Sequence, residues 1–270
     1  MAEASTRGAL ACLFESKRLW LIQFFANPIL ILLYAACLLV PEARTWELIL
    51  NVILALAIAV FAVVLHAGTL NYFHDRARSD SAALKPAFLR ALRNILAISL
   101  WIVVFFVVWR LWGMLGHYHE SIPTYFCSLL PAWLRRHVTL HSMIKIFEIK
   151  LFVLRWVVTL GFLLPFAAQA ADRGFGGFGK SGRTALESAI KSLRYWAAVI
   201  VAALMGVCFS SRLLNWHSHS QDSTFAGETT SLVLRLLAAY LLALFSWMLV
   251  CSVAGRSCGI QKSAGGNTSL

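Results

Sequence analysis

Six long apolar stretches constrain this chain more than any other feature: Trp20–Val40, Leu48–Leu70, Ile95–Gly116, Ile149–Ala171, Tyr195–Leu214 and Leu232–Ala254. Each reaches the ~20 residues that an α-helix needs to cross ~30 Å of hydrocarbon. A closed β-barrel would alternate apolar and polar residues in shorter runs, whereas these runs are apolar on every face. The expected fold is all-α, a polytopic domain over residues 1–260 with six transmembrane helices in three hairpins. Composition agrees, with 60% of the 270 residues hydrophobic and 13% charged. Soluble domains average ~45–50% apolar and ~25% charged.

The distribution of Lys and Arg sets the orientation. The formal net charge is +12, but the basic residues lie between apolar runs, so a membrane surface is the expected partner and nucleic acid is not. Fifteen of the 24 Lys and Arg fall in the N-terminal segment, the second and fourth connections and the C-terminal tail. Both termini are therefore expected in the cytoplasm, for a multi-pass protein of a bacterial inner membrane. Tyr34-Ala35-Ala36-Cys37 resembles a lipoprotein cleavage box. However, Tyr replaces the aliphatic residue and the apolar core exceeds the ~7–15 residues of a signal peptide, so an uncleaved first span is expected. Only Cys127 is expected outside, which leaves no exterior disulfide framework.

A basic segment precedes three of the spans: Ala9–Arg18, Ala87–Asn94 and Ala185–Arg194. Aligned on their first alanines, the apolar positions coincide at Leu10, Phe88 and Leu186, at Leu13, Ala91 and Ala189, and at Phe14, Leu92 and Ile190. These i, i+3, i+4 steps predict three cytoplasmic amphipathic helices at the interface, each opening a repeated two-span unit. The first and third copies also share Trp20 and Trp196 just inside the next span. Pro41–Glu47 and Asn215–Ser231 read as simple turns. His117–Glu148, with Pro123, Pro131 and aromatic residues, reads as an outer interfacial or re-entrant segment, and Gln261–Leu270 as a disordered tail.

Candidate sites come from residues that are costly in or near hydrocarbon. Lys17, Arg18, Arg90, Arg93, Lys191 and Arg194 are candidates for anionic lipid headgroups. Arg110 and Arg155 lie within spans, with Arg212 and Arg235 nearer an outer end, and together they suggest an anion or lipid-phosphate site. His137 and His141, four apart, would share a helix face, and His117, His119, His217 and His219 could complete a metal site. His66 reads as a satisfied packing residue. Pro28 and Pro165 break the backbone ladder inside two spans, and the neighbouring Asn27 and Gln169 are expected to satisfy the freed carbonyls. Gly174-Phe175-Gly176-Gly177-Phe178-Gly179-Lys180-Ser181 satisfies the phosphate-loop pattern, but no α/β domain can surround it, so a flexible glycine hinge is expected. No HExxH, GxSxG or CxxC is present, and no Asp or Glu lies in the middle of a span.

Ala67-Gly68-Thr69-Leu70-Asn71-Tyr72 followed by Leu84-Lys85-Pro86-Ala87-Phe88-Leu89-Arg90, then Leu164-Pro165 and Ala185–Trp196, resembles bacterial six-span proteins similar to the membrane domain of glycerophosphodiester phosphodiesterases. Ala167–Ala171 with Asp172 departs from that family, where an acidic residue and Gly follow the Pro. The resemblance implies a helical membrane domain. It carries no hydrolase activity, since the phosphodiesterase barrel is not in this sequence. The leading expectation is a non-enzymatic protein, without cofactor, that engages anionic lipid, a membrane partner or a second copy of itself through its basic helices. The alternatives are a transporter or channel for an anionic or amphiphilic molecule, and a membrane enzyme or metal protein built on the exterior histidines.

Overall fold

The computed structural model describes residues 12–40, 44–79, 82–135, 137–216 and 225–259, and these contain no strand. In chain order the helices are α1 (Lys17–Leu38), α2 (Thr45–Arg78), α3 (Leu84–Arg93), α4 (Ile95–Gly116), α5 (Ser121–Leu129), α6 (Ala132–Arg135) and α7 (Leu140–Phe152). They continue with α8 (Thr159–Arg173), α9 (Lys180–Lys191), α10 (Leu193–Ala203), α11 (Ser210–Leu214) and α12 (Phe225–Gly259). A π-helical segment Val153–Val158 joins α7 to α8, and another, Leu204–Phe209, joins α10 to α11. Six helical runs are long and apolar enough to cross a membrane: α1, α2, α4, α7 with α8, α10 with α11, and α12. The start of α1, the end of α12 and the connections on either side of α3 and α9 lie at one end of the bundle, called here the basic end.

Two helices extend well beyond their apolar stretches. Helix α2 continues past Leu70 to Arg78, and the fourth crossing begins at Leu140 rather than at Ile149. Hydropathy marks where lipid contact ends, whereas the backbone ladder continues wherever packing holds it. Residues Asn71, Phe73 and His74 are buried against other helices. The connection expected as one interfacial segment is two short helices, α5 and α6, with α5 packed on α7.

The three basic segments share structural details. Leu13, Ala91 and Ala189, aligned in sequence, are each fully buried. The residues three positions later, Ser16, Asn94 and Ser192, are the N-caps of α1, α4 and α10, where the short helix ends and the crossing begins. The indole Nε1 of Trp20 donates back to the Leu13 carbonyl at 2.8 Å, and that of Trp196 donates to the Ile190 carbonyl at 3.3 Å. Residues Ala9–Ala11 of the first copy lie outside the described residues, as do Pro41 and the tail Gln261–Leu270.

A proline in a membrane helix frees the carbonyl four residues earlier, and hydrocarbon offers no water to satisfy it. Pro28 frees Phe24 O, which accepts a 2.8 Å bond from the Tyr240 hydroxyl of α12. Pro165 frees Gly161 O, which accepts a 2.8 Å bond from the buried Tyr195 hydroxyl of α10. The expectation that Asn27 and Gln169 do this is corrected. Asn27 Nδ2 donates to Gln23 O and Gln23 Oε1, both at 2.8 Å, and Gln169 Oε1 is buried without a partner. A side chain on the same helix as the proline stands beside the gap, while a tyrosine on a crossing helix reaches into it. The π segments follow a similar rule: Thr159 and Ser210, just after them, each donate to the carbonyl five residues back, at 2.9 and 3.1 Å.

Packing concentrates at the basic end, where small residues allow close approach. Ala87, Ala171, Ala189 and Ala254 are fully buried there, and the opposite half of α2 exposes Ile49, Val52, Ile53 and Leu56. A side chain at Gly255 would place its Cβ 2.8 Å from the Phe73 and His74 backbone. Gly255→Ala is therefore expected to cost ~1–3 kcal/mol through overpacking, read as a lower melting temperature in detergent. Tyr195→Phe and Tyr240→Phe should each cost ~1 kcal/mol by the same measurement, because each leaves a proline-freed carbonyl unpaired.

Candidate functional site

At the basic end, the last turns of α2, α8 and α12 converge beneath α3. Asp172, near the end of α8, is the hub. Its side chain is 8% exposed, and Arg90 Nη1 of α3 donates to its Oδ1 at 2.5 Å. Oδ2 lies 3.3 Å from His74 Nε2, 3.6 Å from Arg78 Nη1 and 3.8 Å from Arg173 Nε. Arg90 also donates to Asp75 Oδ2 at 2.6 Å. Partial burial opposes its charge, but hydrogen bonds to Asp75 and Asp172 outweigh that and hold the guanidinium above its ordinary pKa. The other ring nitrogen of His74 faces Gly255 O at 3.3 Å. Asn71 Nδ2 bridges Ala87 O at 3.2 Å and Ala171 O at 3.1 Å, and Asn94 Nδ2 adds a 2.9 Å bond to the same Ala171 carbonyl.

Arg90, a candidate for lipid headgroups, is thus already bound to two carboxylates of the protein. The other basic candidates on the three short segments differ. Lys17, Arg18, Arg93, Lys191 and Arg194 are exposed, as is Lys85. On α3, Ala87 and Ala91 are buried against the bundle, while Leu89 and Leu92 are 55% and 48% exposed beside Lys85 and Arg93. On α9, Gly182, Ala185 and Ala189 are buried, and Ile190 is exposed beside Lys191.

The four arginines within or near spans have different surroundings. Arg155 lies in the first π segment with its guanidinium carbon 3.8 Å from the Trp109 ring centroid, a cation–π contact, and its Nε has no hydrogen-bond partner. Arg110 and Arg212 are exposed, and Arg235 donates to Trp216 O and Ser231 O. A cavity of about 440 Å³ does lie between α2, α4, α8 and α12, but its walls are apolar side chains and His66, without Arg155 or either proline. The shared face expected of His137 and His141 is corrected: His137 sits in a turn, and α7 starts only at Leu140, after the N-cap Thr139. His117, His119 and His141 are exposed, and His217 and His219 lie outside the described residues. Among the described residues no three His, Cys, Asp or Glu side chains are grouped to hold a metal ion.

The glycine hinge is also corrected. Gly174–Phe178 is a 3-10 turn folded under the bundle, with Gly174 and Gly177 buried. Trp101 stacks on Phe166 and Phe178 at 4.9 and 5.2 Å, which anchors this turn to α4 and α8. Gly174 has φ +62°, and a Cβ there would approach Asn94 Oδ1 at 2.9 Å.

The Asp172 hub was missed because its members come from three helices, α2, α3 and α8. A sequence signal exists all the same: His74-Asp75 and Asp172-Arg173 each end a long apolar run, and an unpaired acid there is costly. No protein-family model, curated protein or solved structure matches the chain.

Asp172→Asn would take the shared carboxylate from Arg90, Arg78 and His74 and leave Arg90 with Asp75 alone. It is expected to cost ~3 kcal/mol, the range for removing one member of a buried pair. Asp75→Asn, at a more exposed site, should cost less. Melting of both variants in one detergent checks the order.

Proposed function

We propose that this is a non-enzymatic membrane protein whose exposed basic residues at the ends of the crossings engage anionic lipid headgroups on the cytoplasmic face of a bacterial inner membrane. One observation carries this reading: α3 buries its alanines against the bundle and exposes Leu89 and Leu92 next to Lys85 and Arg93. That arrangement suits a helix lying at an interface, with apolar side chains in the acyl region and cations among phosphates. Helix α9 repeats it with Ile190 and Lys191, and Lys17 and Arg18 open α1. The internal ion pairs favour the same division of labour, since Arg90 and Arg78 hold the fold and leave the outer cations to the lipid. The likeness to the membrane domain of glycerophosphodiester phosphodiesterases is compatible with this proposal, because it concerns the helical part alone.

A transporter using Arg155 finds less support, because the guanidinium lies on Trp109 and the cavity has apolar walls. Each Lys or Arg near an anionic surface contributes ~1 kcal/mol. Replacing Lys17 and Arg18, Lys85 and Arg93, and Lys191 by Gln together should lower co-purified phosphatidylglycerol and cardiolipin several-fold relative to phosphatidylethanolamine. Unchanged lipid ratios would reject the reading. A reporter fused to either terminus is expected inside the cell.

A further inference from the structure

The cavity between α2, α4, α8 and α12 runs alongside residues 59–70 of α2, 98–105 of α4 and 160–167 of α8, with Trp247 of α12 closing it. Its walls include Ala62 and Ala67 of α2, Trp101 of α4, Leu163 and Ala167 of α8 and Trp247 of α12. Two of the wall residues, Ala67 and Ile98, pack with buried Ala91 of α3 and Ala171, the neighbour of Asp172. Of the wall residues, Ala59 of α2 and Ile102 of α4 are exposed, Ile102 at 46%, which puts the mouth between α2 and α4 on the outer surface of the bundle. The wall holds no charged side chain. Its one polar ring besides the indoles is His66, packed edge-on against Trp247 at 5.1 Å, with an Nδ1 that has no hydrogen-bond partner.

A space of about 440 Å³ with such walls is poor for water, which needs two to four polar partners. Apolar cavities stay dry and take apolar ligands. Left unfilled in a bilayer, the wall would also forgo the dispersion contacts that close packing supplies. The material in contact with its mouth is hydrocarbon. On α4 the wall begins at Ile98, one turn after the Asn94 cap, and exposed Arg93 stands one residue before that cap.

We infer that this cavity is a seat for one alkyl chain of a lipid from the same leaflet, inserted past Ile102 between α2, α4 and α8, with the headgroup beside Arg93. The inference rests on the proposed membrane orientation only for the name of the leaflet. Chain insertion itself depends on shape and apolar walls, and headgroup charge contributes separately at the rim.

The experiment uses the full chain in nanodiscs of phosphatidylethanolamine and phosphatidylglycerol, with a trace of either lipid carrying a diazirine midway along one acyl chain. After irradiation, labelled peptides are located by mass spectrometry. Wild-type protein should be labelled on the α2, α4 and α8 segments that line the cavity. Ala62→Phe and Ala167→Phe, which fill it from opposite walls, should each lower that labelling at least fivefold without changing labelling of the exposed α1 face at Leu32 and Leu33. Leu163→Ala, which enlarges the cavity, should raise it. Equal wall labelling in wild type and in both filled variants, each still eluting as a single species, would overturn the inference. The Lys and Arg replacements described above should alter lipid headgroup ratios and leave wall labelling by phosphatidylethanolamine intact. Loss of headgroup selectivity alone therefore bears on the proposed function, and loss of the cavity effect alone bears on this seat.

Discussion

Hydrocarbon offers no hydrogen bonds, and the rest of this structure is arranged around that deficit. Every backbone carbonyl freed inside a crossing must find a partner within the protein. Pro28 and Pro165 each free one, and a tyrosine from a different helix closes each gap. These two bonds tie α1 to α12 and α8 to α10 at defined heights. The hydroxyls of Thr159 and Ser210 similarly return to the carbonyl five residues earlier, where π segments widen the helix. Ser210 also reaches Ala239 O at 3.3 Å, joining the second π segment to α12. Local breaks in regular geometry thus become contacts between helices.

The same demand for partners explains the basic end. Small residues bring α2, α8, α12 and α3 close enough to exclude water from Asp172, and a carboxylate so placed needs cations around it. Arg90 and Arg78 supply them from α3 and α2, and His74 Nε2 lies against the same carboxylate. The chain's excess of positive charge therefore divides in two. Some of it is consumed within the fold, and the remainder stands exposed beside apolar side chains on the short helices. Under the proposed function, that exposed set faces lipid headgroups, and the apolar cavity between α2, α4, α8 and α12 holds a lipid chain.

Repetition adds a further constraint. Leu13, Ala91 and Ala189 are buried at equivalent places, and Ser16, Asn94 and Ser192 cap the crossings that follow. The helix break recurs at the same offset from the buried position in all three copies. The copies are not equivalent in function, however. The second segment contributes Arg90 to the Asp172 hub, while the aligned positions elsewhere are Cys12 and Ser188.

The apolar runs alone determined that this chain forms six membrane-crossing helices, because no other regular structure satisfies twenty consecutive apolar residues in lipid. Aligned apolar steps likewise pointed to the short helices at Leu84–Arg93 and Lys180–Lys191. What covers a proline gap, whether Gly174–Phe178 is loose or folded, and which arginines are bound internally were not legible in this way. His137 and His141 show the limit well, since their spacing suits a helix that the Thr139 cap starts too late to include. Arg90 and Arg93 are three residues apart and alike in sequence, yet one is paired and one exposed. Only tertiary structure decided between them, because Asp75 and Asp172 reach Arg90 from other helices, 15 and 82 residues away. Lipid contact is a property of a segment's own composition, whereas an ion pair depends on what the rest of the chain brings to it.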